Sequence, residues 1–109
     1  MFWQLARACP QAVLDSNIQW NNAQQLDDLR ALGGRLVEVR CECPPQVAVE
    51  RYAARAAIGH AAQRHTTLDA DRLRAYGQPV GIGPLITVDT TAPVDVAAVA
   101  ASVRAALQA

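Results

Sequence analysis

Arg51 and Arg55 stand four residues apart in Glu50-Arg51-Tyr52-Ala53-Ala54-Arg55, the spacing that puts two side chains on one helix face. Arg64 follows one loop later. Guanidinium forks at such positions suit a phosphoryl group, whose charge is spread over several oxygens. The same arginines would also make a solvated basic face, with Glu50 and Asp69 as salt partners. Asp15 closes the short apolar run Gln11 to Asp15. Ligands of open parallel α/β sheets sit beyond the carboxyl ends of strands, so a carboxylate there is suggestively placed. Its local alternative is an aspartate that caps the turn into the next helix.

Other constellations fail on spacing. Cys41 and Cys43 are separated by one residue, where common structural zinc sites use two to four. His60 and His65 are acceptably spaced, but two cysteines alternating on a strand read better as small buried hydrophobes. No metal site is expected. Nothing marks any cysteine as an activated nucleophile. Gly81-Ile82-Gly83 lacks the third spaced glycine and does not lead from a strand into a helix, so it is no dinucleotide fingerprint.

The elements that must carry these residues are legible as strands alternating with helices. Met1 to Ala8 reads as a short helix stopped by Pro10, and Gln11 to Asp15 as a strand closed by turn residues. Ala23, Leu26, Leu29 and Leu32 then step along one helix face, with Gly33 at the left-handed cap. Arg35 to Cys43 alternates, with Val37, Val39, Cys41 and Cys43 on one side and Glu38, Arg40 and Glu42 on the other. That polar side predicts incomplete cover or a solvent cavity. Pro44-Pro45 opens a helix to about Ala62, and a turn of helix is expected around Asp69 to Arg74. Gly77 to Pro84 is a rigid loop, and Leu85 to Asp89 a third strand. Asp95 caps the last helix, Val94 and Val99 form its hydrophobic staple, and Val96, Val99, Val103 and Leu107 its inner stripe.

Composition bounds the partners. The 109 residues are 51% hydrophobic and 18% charged, a balance that folds into one modest domain, residues 1–109. Ten arginines offset ten acids, so no global field attracts nucleic acid or an acidic membrane. No apolar run approaches the roughly 18 residues that cross a bilayer. Three cysteines and no secretory pattern make a reducing cytoplasm the expected setting.

Five segments carry a family resemblance: Val13-Leu14-Asp15-Ser16-Asn17, Val37-Glu38-Val39-Arg40-Cys41-Glu42-Cys43-Pro44-Pro45, Glu50 to Arg55, Arg64-His65 and Val88-Asp89-Thr90-Thr91. With them the chain resembles the C-terminal portion of the P-loop kinase-like ATPases of the AAA type, related to chloramphenicol phosphotransferases and zeta toxins. The resemblance implies an α/β fold, a three-layer parallel sheet of the P-loop NTPase type truncated to βαβαβα. It implies ATP and Mg as cofactors, with Asp15 beside the Mg²⁺–phosphate region. Arg55 and Arg64, with Arg51, become the arginines of a mobile lid over the transferring phosphate. Asp89 and Thr90 line the adenine side of the nucleotide pocket.

Such proteins cradle ATP phosphates in a Gly-rich loop ending in Lys-Ser/Thr. This chain has no lysine; all ten basic residues are arginine. Two preceding βα units, about 60 residues at about 30 per unit, would carry that loop in a complete member. The resemblance therefore predicts a phosphotransferase portion that is not catalytically competent alone. In such folds the missing first strand lies between the strands kept here as Gln11–Asp15 and Arg35–Cys43. These must pair directly, or a homo-oligomer or partner chain must supply strands, or an edge stays open. The alternative is a non-catalytic α/β binding or assembly module, and a small α/β protein of unrelated purpose is a third reading. The acceptor substrate is not written in these residues.

Overall fold

A computed structural model describes residues 2–16, 18–58 and 77–109. Among them, six elements follow in order: α1 (Phe2–Ala8), α2 (Ala23–Ala31), β1 (Glu38–Glu42), α3 (Pro45–Ala57), β2 (Leu85–Asp89) and α4 (Val96–Gln108). β1 and β2 pair in parallel, with Glu38 opposite Leu85 and Glu42 opposite Asp89. The link between them holds α3, so the pair has the long crossover that parallel strands require. No described helix is long and apolar enough to cross a membrane.

Local chemistry sets most boundaries. Asn22 accepts the Gln25 N–H with its side-chain oxygen at 3.1 Å and starts α2. Gly33, at φ +72°, ends it in the left-handed conformation that glycine takes without a Cβ penalty. Leu29, on the predicted stripe, is the most deeply buried side chain named in the core, 4% exposed, with Val88 beside it in rank. α3 opens on Pro45, where a missing N–H costs no helical bond. Asp95 accepts the Ala98 N–H at 3.0 Å and caps α4. At the other end of α4 the Arg35 guanidinium donates to the Leu107 carbonyl, the charge sign that a helix C-terminus favours.

Several expectations change. Gln11 to Asp15 is irregular and unpaired rather than a strand, and Val13 is 96% exposed. Its apolar composition suits a strand, but a strand persists only against a neighbour, and none of the described strands lies along it. β1 is shorter than Arg35–Cys43, because only Glu38 to Glu42 find partners on β2. α3 ends at Ala57 with Ile58 as its cap, and its expected extension to Ala62 lies outside the described residues, as does the turn at 69–74. The inner stripe of α4 is Val99, Ala100, Val103 and Ala106, all half-buried. Val96, in the first turn, is 73% exposed, and Leu107, in the last, 37%.

The polar side of β1 is built differently from the expected incomplete cover or solvent cavity. The Glu38 carboxylate accepts the Val80 N–H at 3.0 Å and the Gly81 N–H at 3.3 Å, which fastens the Gly77–Pro84 loop to the strand. Arg40 and Glu42 pair at 2.8 Å on the same side. The more open side is the apolar one, where Val39 is 44% exposed and Cys41 exposed. Gly83 then brings the loop against the backbone: at φ +80°, a Cβ there would collide with the Leu36 carbonyl oxygen.

Candidate functional site

The carboxyl ends of β1 and β2 lie side by side, since Glu42 is in register with Asp89. The chain leaves β2 through Thr90 and Thr91, and Thr90 stays attached to β1. Its N–H and its hydroxyl both donate to the Glu42 carbonyl, at 2.8 and 3.0 Å. One carbonyl thus holds both polar groups of the first loop residue, and the turn is fixed in place relative to the sheet.

Asp89 shapes the next step. Its Oδ1 accepts the Thr91 hydroxyl at 2.6 Å and the Thr91 N–H at 2.8 Å. These bonds favour the charged form, so its pKa lies below the usual 3.8, through the Thr91 hydroxyl first, then the Thr91 amide, and with a smaller attraction from Arg51. The carboxylate is exposed, and the effect arises from hydrogen bonds rather than burial.

Arg51 closes the arrangement from α3. One terminal nitrogen, Nη2, donates to the Thr90 carbonyl at 2.8 Å and to the Thr91 carbonyl at 3.3 Å. A half-buried guanidinium therefore links the crossover helix to the loop after β2. Nη1 and Nε make no hydrogen bond within the described residues. The outcome is a cationic brace and an ionised carboxylate side by side at the carboxyl edge, where open parallel sheets place ligands.

Of the residues singled out from sequence, Arg51, Asp89 and Thr90 come together here. Arg55 stands exposed one turn further along α3, without an ion pair among the described residues. Asp15 is exposed in the irregular segment and shares no hydrogen bond or ion pair with the cluster. Arg64, His60, His65 and Asp69 lie outside the described residues. No group of three metal-ligating side chains occurs among the described residues. Sequence reasoning missed the Glu42 carbonyl and Thr91. Both act through backbone groups or a turn, and only strand register reveals them.

Beside this cluster, Ile86 and Val88 of β2 face Ala98, Val99 and Ser102 of α4 across an open depression of about 280 Å³. Its polar rim is acidic, from Asp89 and Asp95. The Asp95 carboxylate occupies the first turn of α4, and the Asn22 oxygen that of α2. Neither helix start is therefore open to an anion in the manner of a phosphate site. α3 takes no side-chain cap, but its opening prolines remove donors from that end.

No protein-family model matches this chain, and neither a curated protein nor a solved structure matches it.

Proposed function

We propose that the chain is the C-terminal portion of a P-loop kinase-like phosphotransferase fold, contributing the nucleotide-side edge and not the phosphate cradle. The observation that carries this reading is the convergence of Arg51, Asp89 and Thr90 at the carboxyl ends of two adjacent parallel strands. In that reading the described pair forms part of a larger three-layer parallel sheet. Arg51 fixes the loop that lines the base side, and Arg55, exposed on the same helix, is the arginine available to a phosphate. ATP and Mg²⁺ would be held jointly with a phosphate loop from another segment or chain, since these 109 residues contain no lysine. The three free thiols fit a reducing cytoplasm.

Among the described residues, no group of this edge is poised to activate a phosphoryl transfer alone. Asp89 is engaged with Thr91, Thr90 with Glu42, and one Arg51 nitrogen with two carbonyls. Phosphoryl transfer relies on an amide cradle and a lysine at the β/γ-phosphates, and isolated arginines do not rebuild it. Calorimetric titration with ATP–Mg²⁺, paired with a hydrolysis assay, tests this. Millimolar affinity without turnover is expected, and micromolar affinity or turnover by the chain alone would overturn it.

A second reading, a non-catalytic α/β assembly module, draws on the far edge of β1, along which no described strand runs. It predicts that ATP leaves the Thr90 and Thr91 amides unchanged at any concentration, while self-association persists.

A further inference from the structure

The parallel pairing uses alternate residues of β1. The Glu38 N–H donates to Pro84 and the Glu42 carbonyl accepts from Thr90, so the even-numbered backbone groups turn toward β2. Val39 and Cys41 therefore direct their N–H and C=O groups to the opposite edge, where no described strand pairs with them. Their side chains share the open apolar side, both exposed. α4 packs on β2, and no described helix packs comparably on β1. An uncovered edge of this kind is a template for another strand.

We propose that the edge is occupied by β1 of a second copy of this chain, antiparallel, about a two-fold axis at Cys41. The charge pattern of Glu38-Val39-Arg40-Cys41-Glu42 selects both occupant and register. Centred on Arg40, the pair would set Glu38 against Glu42 and Arg40 against Arg40, like charges directly opposed. Centred on Val39, it would need Glu38, whose carboxylate is committed to Val80 and Gly81. Centred on Cys41, each Arg40 faces the Glu42 of the other copy. This joins the two intrachain Arg40–Glu42 pairs, each at 2.8 Å with its Glu42 side chain 48% exposed, into one alternating network.

That register also matches backbone to backbone. Cys41 meets Cys41, and Val39 meets Cys43, each a hydrogen-bonded pair, giving about six inter-chain bonds by symmetry. The two sheets become one sheet of four strands, and the Val39 and Cys41 side chains of both copies cover one another. The two-fold repeats every contact, as isologous dimers do. This gives the second, assembly reading a partner and a surface; in the phosphotransferase reading the same edge of β1 would seat the phosphate-loop strand, so the two arrangements exclude one another.

The test is sedimentation of the full chain at micromolar concentration, using Arg40→Glu, Glu42→Arg and their equimolar mixture. Each single variant opposes like charges twice per dimer and is expected to weaken self-association roughly 30-fold. In the mixture every acid faces an arginine again, so a heterodimer close to wild-type strength should return. The loss expected from Glu42→Arg alone singles out this register: centred on Arg40, its new arginine would face Glu38 and strengthen the pair, and centred on Val39, the Glu38–Arg40 pairs would be left unchanged. As a second readout, a chain with Cys9→Ser and Cys43→Ser should form a diamide-induced dimer through Cys41, opposed at a Cα distance a disulfide spans. This arm keeps both charged residues native and decides the matter if either charge variant loses its fold by circular dichroism. A monomeric wild type, or Arg40→Glu dimerising as tightly as wild type, would overturn the proposal. A monomer whose Val39 and Cys41 amides resist exchange would show the edge covered within the chain and would overturn the proposal as well. ATP affinity enters none of these readouts, so their failure leaves the nucleotide reading standing.

Discussion

Replacing Arg51 by alanine should cost far more than replacing Arg55, although the two arginines lie one turn apart on the same helix. Arg51 Nη2 reaches the Thr90 carbonyl at 2.8 Å and the Thr91 carbonyl at 3.3 Å. A hydrogen bond from a charged donor contributes about 1.5–3 kcal/mol. The first contact is half-buried and short, and the second is exposed and long, so about 2 kcal/mol is a fair sum for the pair. With an unfolding entropy of about 2.1 cal/mol/K per residue, a chain of 109 residues should melt about 9 °C lower. Arg55→Ala should stay within about 0.5 kcal/mol of wild type, as surface changes without partners do. Arg51→Met, which keeps the apolar stem, separates the packing share from the bonding share. Thermal and urea unfolding followed by circular dichroism, at one fixed chain concentration, give the three values. Equal losses for Arg51→Ala and Arg55→Ala would refute the brace.

Other substitutions test the remaining contacts. Because hydrogen bonds from Thr91 depress the Asp89 pKa below 3.8, the charged form adds stability that is present above that value and fades as pH falls through the folded pKa. Asp89→Asn should therefore flatten the acid limb of a pH–stability curve, measured by urea midpoints. Gly83→Ala combines a positive φ with a collision at the Leu36 carbonyl oxygen and should cost about 2–4 kcal/mol. Gly81→Ala has the positive φ with open space around it and should cost nearer 1 kcal/mol in the same unfolding assay. Asp95→Ala removes the cap on the Ala98 N–H and should lose about 1 kcal/mol, read by thermal melting.

How far the sequence could be read depended on the range of the interactions involved. Gly33, Pro45 and Asp95 act on their own or neighbouring backbone, and the structure puts each where its chemistry predicts. Leu85 to Asp89 was legible because its ends are marked by Pro84 and by Thr90-Thr91. Gln11 to Asp15 misled for a physical reason: composition favours a strand, but a ladder is a property of two segments. The tie from Glu38 to Val80 and Gly81 spans more than forty residues of sequence, beyond any periodicity argument. Within the site, Arg51 was marked by its helix spacing to Arg55, and Asp89 and Thr90 by resemblance alone. The contacts that hold them, to the Glu42 carbonyl and to Thr91, follow from parallel register. Val96, in the first turn of α4, is 73% exposed and falls outside the half-buried set Val99, Ala100, Val103 and Ala106.

Amide-resolved NMR titration of the chain with ATP–Mg²⁺ addresses the nucleotide-edge claim most directly. The account predicts shifts concentrated at the amides of Asp89, Thr90 and Thr91 and at the guanidinium of Arg51, saturating in the millimolar range, with no phosphate released. Shifts that avoid this edge, or none at saturating nucleotide, would contradict it.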